Sequence, residues 1–186
     1  MATNIYSNQI KNRNFLSPTG FKFTLNRAPK VAFFSNSANI PSMDLGVAVQ
    51  STYLKDIDIP GDKIIFEDFS LRFLVDEDLS NYMQIQNWIR GLGFPDSLKE
   101  IFDLQDENER MDTKKSGLMD IYSDGTLTVL GSNQRPNFIV KFRDLFPVTL
   151  STLNFDASQT DVEYFTADVQ FKYTIYEITD LEGTPL

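Results

Sequence analysis

Three consecutive acids, Asp76-Glu77-Asp78, form the densest carboxylate cluster in the chain. Paired carboxylates can exchange protons with a substrate or hold a hard divalent cation. Acids just ahead of a helix also complement its positive end, which is the simpler reading here. A second acidic group, Asp103, Asp106, Glu107, Glu109 and Asp112, offers oxygen ligands but lacks the Asp-x-Asp-x-Asp-Gly spacing of a calcium loop. It reads as a solvated charged segment. Gly91-Leu92-Gly93 repeats two glycines of a nucleotide fingerprint, yet it follows a helical pattern, where the fingerprint must open one. There is no histidine and no cysteine. The usual neutral-pH base, the thiolate nucleophile, the commonest zinc ligands and disulfides are therefore missing. No Gly-x-Ser-x-Gly is present, and nothing marks a Ser–Lys pair. Neither a catalytic set, a metal site nor a cofactor site is expected.

Chemistry thus gives way to the elements. The chain has 186 residues, 41% of them hydrophobic, with 16 phenylalanines and a net charge of −9. Such a chain can bury a good core, and phenylalanine favours strands. The acidic balance disfavours ordinary nucleic-acid binding, which depends on counterion release by cations. Met1 to Pro18 has no apolar h-region, so no signal peptide is expected, and no apolar run is long enough for a membrane span.

The strongest pattern lies near the C-terminus. From Tyr164 to Ile178 apolar and polar residues alternate, which predicts one strand of about 45 Å. Phe165, Val169, Phe171 and Tyr173 are expected in the core. Thr166, Asp168, Gln170, Lys172 and Thr174 then share a polar face toward solvent or the lumen of an assembly. A strand that long overhangs a small domain, which points to self-association.

Upstream, Phe21 to Leu25 reads as a strand, Ala28-Pro29-Lys30 as a turn and Val31 to Ile40 as the second strand of a hairpin. Asp44 to Ile59 is mostly extended, and Pro60-Gly61-Asp62 marks a turn before a strand from Ile64 to Val75. Its expected core face is Phe69, Leu71, Phe73 and Val75. A helix follows, capped by Ser80, with Tyr82, Ile85, Trp88, Ile89 and Leu92 at helical spacing. Trp88 reads as core. Ser97 to Glu100 resembles a capping box for a short helix to about Leu104. The charged stretch 103–115 reads as an exposed insertion, mobile in isolation. Leu118 to Leu130 reads as a hairpin on Asp124-Gly125. Phe138, Val140 and Phe142 form a strand face, Leu145-Phe146-Pro147 breaks it, and Thr149 to Phe155 is a short strand. The expectation is a mainly β, sandwich- or barrel-like domain with one flanking helix. Its parts are an arm (1–18), a β domain (19–178) and a tail (179–186).

The order of these elements resembles the tail tube proteins of contractile-tailed, T-even-type bacteriophages. The resemblance rests on Ile59 to Lys63 with the strand Phe66 to Phe73, on Asp76-Glu77-Asp78 before a helix carrying Asn87-Trp88, and on Phe142 to Pro147 with Leu153 to Asp156 before the last strand. It implies a structural virion protein, assembled in the host cytoplasm, whose copies form hexameric, stacked rings. Strands of each copy would join one barrel around a channel. DNA would pass without specific binding, and sheath and baseplate proteins would be partners. The charged segment would meet the neighbouring ring. Two other roles compete. One is a tube initiator or terminator of the same fold. The other is a monomeric β-sandwich that binds carbohydrate or peptide on exposed Tyr53, Tyr122 or Tyr176.

Overall fold

The computed structural model describes residues 15–110, 121–156, 158 and 164–186, with the backbone alone for 105–110. The elements are β1 (Phe21–Leu25), α1 (Pro29–Phe33), β2 (Ser35–Ala38), β3 (Met43–Ser51), β4 (Asp56–Phe66), β5 (Phe69–Leu74), α2 (Ser80–Gly93), α3 (Lys99–Arg110), β6 (Ser123–Leu130), β7 (Pro136–Leu150), β8 (Thr166–Lys172) and β9 (Ile175–Thr179). The protein is mainly β, with antiparallel pairing throughout.

The long element is β7, and it organises the rest. Its first part pairs with β6 on one side and β9 on the other, and its last residues, Phe146 to Leu150, pair with β8. Asp144, at φ 56°, marks the passage between the two. One layer is therefore β1-β6-β7-β9 and the other is β2-β5-β8 with the end of β7. Their inner faces meet in an aromatic core. Phe69 of β5 lies 5.1 Å from Phe23 of β1 and 4.5 Å from Phe142 of β7, ring centre to ring centre. Such contacts add to the burial of large apolar surfaces. Helix α2 packs Ile85 and Trp88 into this core, with Trp88 6.2 Å from Phe171 of β8. The indole N–H donates to the Ile121 carbonyl at 2.9 Å, so its one polar atom is satisfied.

Several expectations fail for one reason: partners distant in sequence outcompete local turns. β1 does not pair with β2; it pairs with β6, Phe21 opposite Val129. Pro29 opens α1, which Pro tolerates at a first helical turn, so Val31 to Phe33 are helical. Asp124-Gly125 is no hairpin turn but lies within β6. A Cβ on Gly125 would sit 2.3 Å from Leu145 Cδ1 and 3.2 Å from Phe23 Cζ, so the glycine makes room for the core. Pro60-Gly61-Asp62 lies inside β4, where the register shifts opposite Leu45 and Val47. A Cβ on Gly61 would stand 2.2 Å from the Gly46 carbonyl oxygen. Proline and glycine both suit such a bulge.

The expected strand Ile64 to Val75 divides at Glu67-Asp68 into β4 and β5. The expected strand Tyr164 to Ile178 divides too. β8 and β9 follow β7 around its bend, and between them the Thr174 N–H donates to the Arg143 carbonyl at 3.0 Å. Leu145-Phe146-Pro147 does not break β7, and residues 151–155 form no strand. At the C-terminus, Thr179 closes β9, and the following turn brings the Leu186 N–H to the Ile178 carbonyl at 3.1 Å.

Candidate assembly surfaces

The polar face anticipated near the C-terminus exists. Along β8, Ala167, Val169 and Phe171 are fully buried, whereas Thr166, Asp168, Gln170 and Lys172 alternate with them and are exposed. Thr174 is exposed but lies past β8, at the bend. Phe165 is not a core residue: it is 38% exposed and stacks on Phe155, ring centres 4.7 Å apart. Ser70 and Arg72 of β5 extend the exposed face.

Two ion pairs cross this face. Arg72 Nε donates to Asp168 Oδ1 at 2.7 Å and Nη2 to Oδ2 at 3.2 Å. Lys172 Nζ donates to Asp68 Oδ1 at 2.7 Å. The hydrogen bond to Asp168, and then its charge, raise the pKa of Arg72. Among the described residues, β2 pairs only with β5 and residues 146–150 of β7 pair only with β8. This layer therefore ends in two strands with unpaired backbone groups, which are templates for further strands.

A second surface was not singled out from the sequence. β3 and β4 form a two-stranded sheet by themselves. Nine residues of β3 span about 27 Å. Met43, Leu45, Val47, Val49, Ile57, Ile59, Ile64 and Ile65 are all exposed on it. An isolated two-stranded hairpin is at best marginally stable in water, and this one carries a core-like set of side chains. The signal was present in the alternation of Met43, Leu45, Val47 and Val49. Its root is anchored by rings: Phe66 lies 6.0 Å from Tyr173 and 5.7 Å from Tyr176. The Tyr173 hydroxyl donates to the Glu67 carbonyl at 2.9 Å, and that of Tyr176 to the Pro41 carbonyl at 3.1 Å. Burial, then the neighbouring Tyr176, Asp68 and Glu67, push the Tyr173 hydroxyl up to about 12.

Within Asp76-Glu77-Asp78, Asp76 has a structural role. Leu79, not Ser80, precedes α2, with φ 55°, and Ser80 donates to Asp76 Oδ2 at 2.9 Å. Lys30 Nζ donates to the same Ser80 oxygen at 3.0 Å, tying α1 to α2. In this Ser–Lys contact the lysine is a donor and the hydroxyl proton is directed at Asp76. Asn81, fully buried, accepts from the Asp76 and Tyr82 N–H groups and donates to the Leu74 carbonyl. Sequence patterns gave no hint of that role.

The expected capping box is half formed: the Glu100 carboxylate takes a hydrogen bond from the Ser97 N–H, but the Glu100 N–H goes to the Ser97 carbonyl instead of its hydroxyl. Glu100 also accepts from the Asp96 N–H and from Arg90. Desolvation raises the Glu100 carboxyl, but the hydrogen bonds from Arg90 and from backbone N–H groups outweigh it and lower its pKa. The charged segment is helical where described: α3 runs to Arg110, with Asp103 exposed and Asp106, Glu107 and Glu109 on its backbone. Asp112 lies outside the described residues. No group of three acids that could hold a metal occurs among the described residues. The three tyrosines of the platform reading stand apart: Tyr53 follows β3 at the hairpin tip, Tyr122 packs on Phe146 and Tyr176 sits in the root cluster.

Comparison with curated protein sequences returns no match. Solved structures share the fold. A chain of the anti-feeding prophage (AFP) baseplate matches with TM-score 0.59 at 11% identity, covering 92% of this chain and 99% of that one. A chain of the AFP tube terminating cap matches with TM-score 0.55 at 12% identity, covering 96% and 99%. A chain of the PVC sheath-tube complex, an extracellular contractile injection system in its extended state, matches with TM-score 0.50 at 14% identity, covering 91% and 94%. The family model described as phage tail tube protein matches residues 1–179. That is a family of structural tail components, not of enzymes. With its two-layered β fold, polar outer sheet and uncovered hairpin, the chain belongs to the phage tail tube protein family.

Proposed function

We propose that this chain is a ring-forming subunit of a contractile tail tube, six copies to a ring, with the rings stacked into a conduit for DNA. The observation that carries this reading is the layer β2-β5-β8-β7: apolar inside, mostly polar outside and, among the described residues, unpaired at both edges. Joining the edge of one copy to the opposite edge of the next closes a barrel and removes both exposed edges. The exposed sides of Thr166, Asp168, Gln170 and Lys172 then line the channel, and the β3–β4 hairpin lies on a neighbouring copy. Tail sheath and baseplate proteins are the expected outer partners, and α3 with Asp103 faces the adjoining ring.

A second role, a single ring that starts or ends the tube, is supported by the use of the same fold in a baseplate and a terminating cap. Electron microscopy of the purified protein, alone and with a tube-starting complex, separates the two. Stacked rings are expected. Rings that never stack favour the initiator or terminator role, and monomers at high concentration in both conditions overturn assembly altogether.

A further inference from the structure

On strands β2, β5 and β8 and residues 146–150 of β7, the only charged side chains are Arg72, Asp168 and Lys172, and Asp68 directly precedes β5. Both cations are paired, each to the carboxylate opposite it in the antiparallel register. Arg72 faces Asp168, and Asp68 and Lys172 stand one place beyond the Phe69–Phe171 pair. The two positive and two negative charges cancel, although the whole chain carries −9. An unpaired arginine or lysine on this surface would seek phosphate. Each instead already holds a carboxylate at 2.7 Å.

We propose that Asp68 and Asp168 are built-in counterions, which keep Arg72 and Lys172 from gripping a nucleic acid moving past this sheet. The wall avoids its cargo by pairing every cation rather than by being strongly acidic. The link to a passing cargo rests on the reading of this face as the channel wall; the masking itself does not. A polyanion gains affinity by releasing condensed counterions to protein cations, and a cation already paired with a carboxylate offers less of that gain. The pairs also hold β5 to β8 in register, so the cations keep a structural use while masked.

The test uses the full chain, unassembled, on a column of immobilised duplex DNA at low salt. The natural chain is expected in the flow-through. The D68N/D168N variant is expected to be retained and then released by salt, with a slope of log K against log salt near −1.8 for roughly two freed cations. The D44N/D58N variant, with the same change in net charge but on the hairpin, is expected in the flow-through. The exchange R72D/D168R, which keeps a pair with its polarity reversed, is expected there too. Co-elution of D68N/D168N with the natural chain overturns the masking, as does equal retention of D44N/D58N or retention of the exchange variant. Cryo-EM of assembled D68N/D168N with duplex DNA judges the channel separately. Density inside the bore supports it, and density only on the outer surface overturns the channel assignment while the column result still decides the masking.

Discussion

The uncovered hairpin supplies the sharpest test of assembly. Val47 and Val49 lie on one strand of it and remain 65% and 60% exposed. Replacing both with threonine keeps the β-branched shape that suits a strand and exchanges one methyl for a hydroxyl on each. In the lone subunit these side chains touch water, so stability should change by about half a kcal/mol or less, and the melting temperature by under about 2 °C. Assembly should respond differently. Fully burying a valine stabilises by roughly 1.5–3 kcal/mol, and about three-fifths of that remains to be gained here, or roughly 1–2 kcal/mol each. The threonines forfeit much of it and bring hydroxyls that cost about 1 kcal/mol or more when buried without partners. Together the pair should weaken association by about 3 kcal/mol per subunit, near two orders of magnitude in the association constant. Sedimentation across a concentration series reads this as a higher threshold for rings or tubes. Unchanged assembly with unchanged melting would show that this face stays in water in the assembled state. A large fall in the melting temperature would show that the hairpin belongs to the subunit's own core.

Three further outcomes follow from the fold. Trp88→Ala empties a buried site and orphans the Ile121 carbonyl, so urea denaturation should show a loss of about 3–5 kcal/mol. Gly125→Ala places a methyl against Leu145 and Phe23 and should cost about 1–3 kcal/mol by overpacking, read in the same way. The Tyr173 hydroxyl titrates near 12 in the folded chain, against about 10 unfolded. The folded state therefore binds the proton more tightly. The stability this provides is complete below about pH 10 and is lost as pH rises toward 12. Urea midpoints measured from pH 9 to 12 should fall less steeply in Tyr173→Phe than in the natural chain.

Much of the local structure was legible in the residues themselves. The alternation of Phe69, Leu71 and Phe73, and of Ala167, Val169 and Phe171, marks buried strand faces because a strand's side chains alternate whatever its partner. The helical spacing of Ile85 and Trp88 placed α2 and its buried side for the same kind of reason. The polar face of Thr166, Asp168, Gln170 and Lys172 needed no more than this periodicity. Partners were not legible, because a hydrogen-bonded edge accepts any strand whose apolar face fits the layer. β1 passes over its neighbour β2 to reach β6, about a hundred residues away, since only there do Phe23 and Leu25 enter the shared core.

Glycine and proline misled for a related reason. Pro60-Gly61 and Asp124-Gly125 have the residue types of turns, yet both lie within strands, where close packing or a bulge requires the same absence of a side chain. The unbroken alternation from Tyr164 to Ile178 likewise could not reveal a bend that β7 imposes by passing between layers. The sequence alone thus determined which residues share a face, that the core is aromatic and that no histidine or cysteine chemistry is available, because these depend on side-chain type and backbone period. Only the tertiary structure decided which strands meet, that Arg72 and Lys172 are each opposite a carboxylate, and that the β3–β4 hairpin has no cover among the described residues of its own subunit, because these depend on register and on contacts between distant segments.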